Sequence, residues 1–321
     1  MNEKYSEILI IGAGMAGLAC ATRLAKAGRS VTVLDKGRGP GGRMAARRAE
    51  IEGETVSFDH GAQYFTARDA SFCEAVAGWE AQGVVARWPA AEKPSGDHAW
   101  VGTPGMNGPI RAMADGLDVH WGTRAESIQR DEDRWIIRAA ERVFAADSVL
   151  VAIPAEQTAE LLANAAPDYA AIAAGVTSEP CWAVMAAFAQ PLGLAADGMR
   201  DPDAAISWAA RNSAKPGRSG AECWVLHASP ERSRAIIDLP KEEAATVLLA
   251  DFFAQIGAAP VAPIHLTAHR WLYAMPAALK GEPARWDGEA RLGLAGDYLH
   301  SPRVEGAWVS GRALADRVLA G

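Results

Sequence analysis

Gly12-Ala13-Gly14-Met15-Ala16-Gly17 follows the apolar run Ile8-Leu9-Ile10-Ile11 and opens an amphipathic stretch that leads to Val31-Thr32-Val33-Leu34-Asp35. A strand, a tight turn, a helix and a second strand ending in an acid make a phosphate site largely out of backbone. Gly12 lets the chain turn sharply out of the strand, Gly14 admits a pyrophosphate to the backbone, and Gly17 lets the helix lie close to the sheet. The helix start, with Met15 and Ala16, aims unpaired N–H groups and the positive end of a dipole at the ligand. Gly28 closes that helix after Lys26. Asp35 stands where a carboxylate accepts the ribose hydroxyls of an adenine nucleotide, and an acid there argues against an additional 2′-phosphate.

Lys36-Gly37-Arg38-Gly39-Pro40-Gly41-Gly42-Arg43 is too rich in glycine for helix or strand. Cations among glycines directly after the ribose acid suit a second phosphate-approach loop, with Arg38 and Arg43 supplying charge-assisted contacts. Next comes a short strand, Val56 to Phe58, entering the turn Asp59-His60-Gly61-Ala62-Gln63-Tyr64. His60 beside Asp59 has the makings of an acid–base pair, but a histidine in a turn is more often simply hydrogen-bonded. Three stretches then mix rings with polar groups: Trp208 to Asn212, Trp224 to Ala228, and His269-Arg270-Trp271-Leu272-Tyr273-Ala274. They read equally well as buried tryptophans of a sandwich core, or as a pocket where Trp or Tyr stacks on a flat ring whose polar edge bonds Asn212, His227 and Arg270. Near the end, Leu292 to Asp297 is a strand closing in Gly-Asp, and Arg303-Val304-Glu305-Gly306-Ala307 starts a C-terminal helix.

The elements that must position these groups alternate along the chain. A helix is expected from Ser71 to Trp88, a polar loop over 89–98, and a short helix from Asn107 to Asp115. Strands follow at Val119 to Trp121, Ala125 to Gln129, Trp135 to Ala139 and Arg142 to Ala145, then a buried strand from Asp147 that Pro154 terminates. A helix over Ala155 to Ala165 precedes strands at Trp182 to Ala189, Ala205 to Ala210 and Cys223 to Ala228, and a helix over Lys241 to Ile256. No repeat or low-complexity linker separates these, so the second layer reads as an insertion in the first.

The 321 residues suffice for one large or two joined domains. A formal charge of −7 without blocks of like charge disfavours a nucleic-acid partner. The polar start Met1 to Glu7 lacks the apolar region of a signal peptide, and no stretch has the ~20 apolar residues of a membrane span. Cys20, Cys73, Cys181 and Cys223 lie far apart without a C-x-x-C pair, which fits reduced thiols in the cytoplasm and gives neither a metal site nor a redox disulfide.

A GxGxxG unit, an acid and then Arg38-x-x-Gly41-Gly42-Arg43 resembles the amine oxidase and protoporphyrinogen oxidase superfamily of flavoproteins. Gly296-Asp297 with Val304-Glu305-Gly306-Ala307 resembles that superfamily's closing motif. The resemblance implies an α/β fold with an α+β substrate layer. Its Rossmann-type FAD-binding domain, of the p-hydroxybenzoate hydroxylase and amine oxidase type, spans 1–70, 105–155 and 288–321, and an antiparallel-sheet substrate domain spans 71–104 and 156–287. It implies FAD held through Gly12, Gly14, Met15, Ala16, Gly17, Asp35, Lys36, Arg38, Gly42, Arg43, His60, Gly61, Ala62, Gln63, Asp297 and Val304 to Ala307. The four strands from Val119 on would be a small meander inserted before the return to the sheet. No cysteine lies beyond Cys223, so the FAD should be non-covalent.

The runs Asp59-His60-Gly61-Ala62-Gln63-Tyr64-Phe65 and Ala268-His269-Arg270-Trp271-Leu272-Tyr273 are similar to bacterial renalases, a small branch of that superfamily. This implies oxidation of a misreduced dinucleotide, the 2-dihydro isomer of NAD(P), with O₂ as final acceptor. The pocket would then hold Gln63, Tyr64, Asn212, His227, Arg270, Trp271 and Tyr273, with no residue essential for proton transfer. Three rivals stay open: an amine oxidase with Tyr273, Trp271 or Tyr298 flanking a neutral amine, a two-nucleotide reductase that the single GxGxxG disfavours, and an FAD-stabilised scaffold.

Overall fold

The computed structural model describes residues 3–92 and 96–321, and opens with strand β1 (Glu3–Ile11), helix α1 (Met15–Lys26) and strand β2 (Val31–Leu34). The polar start Met1-Asn2 lies outside the described residues. β1 and β2 pair in parallel, Ile8 against Val31 and Ile11 against Leu34, so the glycine turn and Asp35 emerge side by side at the carboxyl ends of the strands. Both strands are covered on two faces, which is why they read as unbroken apolar runs. The turn needs its glycines: a Cβ on Gly12 would sit 2.5 Å from the Ala152 carbonyl oxygen, and one on Gly17 would sit 1.9 Å from that of Gly12.

The glycine loop is followed by a hairpin, β3 (Ala46–Ile51) and β4 (Glu54–Asp59), of which the sequence shows only the second strand. Helix α2 (Ala70–Ala81) then ends earlier than expected. Gly83, at φ 71°, turns the chain, and β5 (Val85–Arg87) pairs with β6 (Trp100–Gly102) in place of the predicted last turns to Trp88. The expected loop over 89–98 contains residues 93–95, which lie outside the described residues; before them Pro89–Ala91 form a 3₁₀ turn. Phe72, Val76 and Trp79 of α2 share a core with α1, so this segment packs on the nucleotide layer, whereas the sequence groups it with the substrate domain.

After α3 (Gly108–Ala114), β7 (Asp118–His120) pairs in parallel with β2, extending the main sheet where the sequence has it start the meander. β8 (Ser127–Asp131) and β9 (Arg134–Ala139) form that meander with β10 (Arg142–Val151). β10 is one continuous strand where two are expected, antiparallel to β9 at its start and parallel to β1 throughout. Helix α4 (Ala155–Leu162) is followed by the unforeseen α5 (Pro167–Ala174).

A second sheet follows from β11 (Ser178–Phe188), β12 (Gly198–Arg200), β13 (Ile206–Arg211), β14 (Glu222–Ala228) and, after α6 (Pro230–Ala235) and α7 (Lys241–Ile256), β15 (His265–Pro276). It is antiparallel, in the order β12-β13-β14-β11-β15. The chain returns through β16 (Ala284–Asp287), β17 (Leu292–Ala295) and α8 (Val304–Ala320), completing the first sheet as β16-β17-β10-β1-β2-β7. The two-residue alternation of strands gives the second sheet two roles. Trp182, Val184, Phe188, Trp224 and Leu226 pack on α7, while Met185, Ala187, Cys223 and Val225 meet the β3–β4 hairpin. Among the described residues no helix is long and apolar enough to cross a membrane.

Helix α8 seals the nucleotide layer by lying against α1, close enough that a Cβ on Gly311 would sit 2.0 Å from the Ala16 carbonyl oxygen. Gly311→Ala should therefore destabilise the protein by about 1–3 kcal/mol through overpacking. Gly78→Ala, where a Cβ meets nothing within 4 Å on the exposed face of α2, should stabilise it slightly. Urea unfolding checks both; equal stability of the two variants would contradict the close helix contact.

Candidate functional site

The nucleotide half of the site is built from backbone. Gly14 is the N-cap of α1 with no side-chain cap, and the first intrahelical bond runs from Leu18 to Gly14, leaving the amides of Met15, Ala16 and Gly17 free. A Cβ on Gly14 would meet nothing within 4 Å, unlike those on Gly12 and Gly17, so open space stands where a pyrophosphate has to approach. Gly42, in the left-handed region at φ 54°, has its nearest neighbour in Gly14, 3.7 Å from the Cβ it lacks. Asp35 Oδ2 accepts the Ala13 amide at 2.7 Å and Oδ1 the Gly37 amide at 2.6 Å, which aims the carboxylate and leaves lone pairs for ribose hydroxyls. Lys36 turns aside and donates to Gln157 Oε1 at 2.9 Å. Burial, with Arg124 second, lowers its ammonium pKa. Arg38 is exposed.

The distant end of the chain closes this half. Arg43 Nη2 meets Asp297 Oδ1 at 2.5 Å, its Nη1 donates to the Ala274 carbonyl at 3.3 Å, and its own carbonyl accepts the Ala62 amide at 2.8 Å. One arginine thus joins the glycine loop, the Gly61 turn, β15 and the C-terminal motif. At α8 the first helical bond is Ala307 to Arg303, so the amides of Val304, Glu305 and Gly306 are free and that of Ala307 is spent within the helix. The Glu305 carboxylate is turned away from the site, accepting the amides of Arg68 and Asp69 at 2.5 and 2.7 Å. Two uncapped helix starts, a ribose acid and an arginine–aspartate clasp are a donor set that fits FAD.

Facing it is a cluster of rings. His60 stacks on Trp271, centroids 5.2 Å apart and planes at 27°, and meets His269 edge-on at 5.0 Å. Trp271 Nε1 donates to the His60 carbonyl at 2.8 Å, fixing the ring, and His60 Nδ1 is buried without a partner among the described residues. Burial, with His269 and Arg47 adding to it, lowers the His60 pKa to about 3; burial and Lys215 bring His227 to about 4. Tyr273 is half-buried two residues on from Trp271, and Tyr64 lies 5.4 Å from Trp208.

The structure places two predicted pocket residues, and the Tyr298 of the amine reading, away from the ring cluster. Arg270 alternates to the other face of β15, over the Trp182 ring at 5.7 Å and donating to the Ile237 carbonyl at 2.5 Å. Asn212 is buried and occupied, accepting the Asp59 amide at 3.1 Å and donating to the Ser57 carbonyl at 2.6 Å, so it bolts β4 to the second sheet. Tyr298 is buried in the core that packs α4 against the main sheet.

Beneath the Gly61 turn is a charged network that sequence reasoning missed. Asp59 Oδ2 takes Arg218 at 2.5 Å and Lys215 at 3.3 Å, all three side chains being essentially inaccessible. Lys215 also donates to Gln63 Oε1 at 3.1 Å and lies 5.1 Å from the Trp88 ring centroid. Gln63 Nε2 in turn bonds the carbonyls of Asp59 and Gly61 and faces His227 Nε2 at 3.3 Å. Burial pulls Lys215 down to about 8 against the attraction of Asp59. For Asp59, burial works upward, but Lys215 and Arg218 hold the carboxyl below its usual value. Ala-Lys-Pro-Gly-Arg reads as an exposed turn, and nothing in its composition signals two buried cations.

The pattern of an NAD(P)-binding Rossmann-like domain matches residues 10–73, and that of the flavin containing amine oxidoreductases matches residues 90–319. The chain belongs to the flavin-containing amine oxidoreductase family. Its cofactor is accordingly a flavin. Short segments resemble curated proteins: 36 residues are 64% identical to ribosomal RNA dihydrouridine synthase of Haemophilus influenzae, covering 11% of this chain and 9% of that one. Another 44 residues are 50% identical to hydroxyneurosporene desaturase of Cereibacter sphaeroides, covering 14% and 9%. The match thus spans under a tenth of the length of these relatives. In fold, this flavin-containing amine oxidoreductase is similar over 100% of both chains to a protein designated a protoporphyrinogen oxidase from Exiguobacterium, with a TM-score of 0.76 at 14% identity. It is similar, over 98% of its length and 99% of the other, to cyclohexylamine oxidase of Brevibacterium oxydans, with a TM-score of 0.64 at 13% identity.

The buried imidazoles set a pH dependence. An unfolded histidine takes its proton near pH 6.5, whereas His60 and His227 in the fold stay neutral down to about 3 and about 4. Stability is therefore full above pH 6.5 and falls as pH drops toward 4, by up to about 1.4 kcal/mol per pH unit for each ring. Urea unfolding at several pH values should show that slope, and His227→Asn should reduce it. Stability independent of pH between 4 and 6.5 would contradict the burial of neutral rings.

Proposed function

We propose that this protein is an FAD-dependent oxidase of dihydronicotinamide dinucleotides, the misreduced 2-dihydro isomers of NAD(P). The observation that carries the reading is the His60–Trp271–His269 cluster, a ring wall whose imidazoles are neutral at working pH. A dihydropyridine becomes aromatic when a hydride leaves with its electron pair, and its nitrogen gives up no proton. Such a substrate needs a flat partner, alignment and exclusion of water far more than it needs a base.

Each part of the chain has a place in that scheme. Trp271, held by the His60 carbonyl, presents a fixed face for a flat ring. Gln63 and Lys215 hold the turn that carries Gly61 and Ala62 beneath the rings. The free amides of Val304, Glu305 and Gly306 favour negative charge near them. FAD, held by the amides at the start of α1, by Asp35 and by the Arg43–Asp297 pair, would supply the two-electron acceptor, with O₂ and a proton taking up the electrons as hydrogen peroxide beside NAD(P)⁺. The similarity of the Asp59 to Phe65 and Ala268 to Tyr273 runs to bacterial renalases supports the same assignment.

Oxidation of a small amine is the second reading, favoured by the half-buried aromatic residues Trp271 and Tyr273 on the same edge strand. Anaerobic mixing separates the two. Rapid bleaching of the flavin by 2-dihydro-NAD(P) is expected, with amines slower by orders of magnitude; bleaching by amines alone would establish the rival, and bleaching by neither a scaffold. Single replacement of His60, His227 or His269 should slow bleaching without abolishing it. Complete loss in any one of them, with FAD and substrate still bound, would show a required proton-transfer group.

A further inference from the structure

Arg47 is an exposed residue of β3, and none of the hydrogen bonds of the nucleotide clasp among the described residues uses it. It stands directly opposite Phe58 in the β3–β4 hairpin, and facing residues of an antiparallel pair share a face. Phe58 stacks on His265 of β15, centroids 5.6 Å apart and planes at 24°. His265 and His269 are both on the strand face that carries Trp271, opposite Ala187 and Ala183 of β11. Arg47 is exposed, and its positive charge bears on His60, His265 and His269 alike. Burial and the cation together lower all three imidazoles, with His269 adding to the effect on His60. Arg47 therefore sets a cation on the hairpin that covers this face of the second sheet, beside ring nitrogens that carry no charge.

We propose that Arg47, with the ring nitrogens of His265 and His269 beside it, binds the diphosphate of the substrate and is the residue that selects a dinucleotide over an amine. The proposal rests on the reading of the substrate as a dihydronicotinamide dinucleotide. A guanidinium matches phosphate oxygens in a two-pronged contact, and neutral imidazole N–H groups donate to the same anion. The same charge repels a cationic amine at the entrance, so selection is by repulsion as well as attraction.

The test compares Arg47→Ala and Arg47→Lys with the wild-type holoenzyme on two hydride donors, 2-dihydro-NAD and the corresponding dihydronicotinamide riboside, which lacks phosphate. Arg47→Ala should raise KM for the dinucleotide about tenfold more than for the riboside. Arg47→Lys should recover part of that loss. ADP-ribose, followed by its perturbation of the flavin absorbance, should bind about tenfold more weakly to Arg47→Ala, and its affinity for the wild type should fall with salt. Equal effects on both donors, or ADP-ribose binding indifferent to Arg47 and to salt, would overturn the proposal while leaving the assigned oxidation intact. If neither donor bleaches the flavin but ADP-ribose still binds through Arg47, the anion site stands and the assigned reaction falls.

Discussion

The contact between Arg43 and Asp297 is the constraint on which the rest of the site depends. It joins two residues 254 positions apart and brings the glycine loop after the ribose acid onto the start of α8. With the Arg43 guanidinium one-third exposed, the pair adds little to stability, on the order of 1 kcal/mol. Its importance is geometric. Arg43 also holds the Ala62 amide and the Ala274 carbonyl, so the turn under the rings and the edge strand beside them take their positions from the same side chain.

A second constraint comes from the period of β15. His269 and Trp271 face the nucleotide layer because Ala268 and Arg270 face away, toward α7 and Trp182. The sheet therefore packs on α7 with one side and on the β3–β4 hairpin and the ring cluster with the other, and a shift of one residue would exchange the two. Beside it, the Asp59–Lys215–Arg218 network ties the end of β4 to the loop before β14. Removing one partner would strand buried charge, a loss of several kcal/mol.

The nucleotide layer was legible in the sequence because each of its steps has a local cause. Ile8 to Ile11, the Gly12 turn, α1 and Asp35 follow one another within a single unit, and the structure reproduces that order. The α7 boundaries, Lys241–Ile256, were also legible, from helical periodicity alone. Less was legible where tertiary pairing decides. Nothing local makes Asp118 to His120 pair with β2 across a long separation, or tells β10 to run on past Asp147. Arg270 was misplaced because a mixed run of rings and charges gives the strand but not which face is the cleft. Lys215 and Arg218 were invisible because burial of a cation depends wholly on a partner elsewhere, here Asp59. Asn212 was correctly marked as special but for the wrong task, since its amide serves two backbone groups of β4.

The central claim is that the two ends of this chain grip one FAD without a covalent bond. Titration of the apoprotein with FAD, followed by quenching of flavin fluorescence, tests it directly. The account predicts saturation at one FAD per chain, weaker binding when Asp297→Asn breaks the clasp, and full release of FAD into solution on denaturation. Fluorescence unchanged at any FAD concentration, or flavin that stays attached to the unfolded chain, would contradict it.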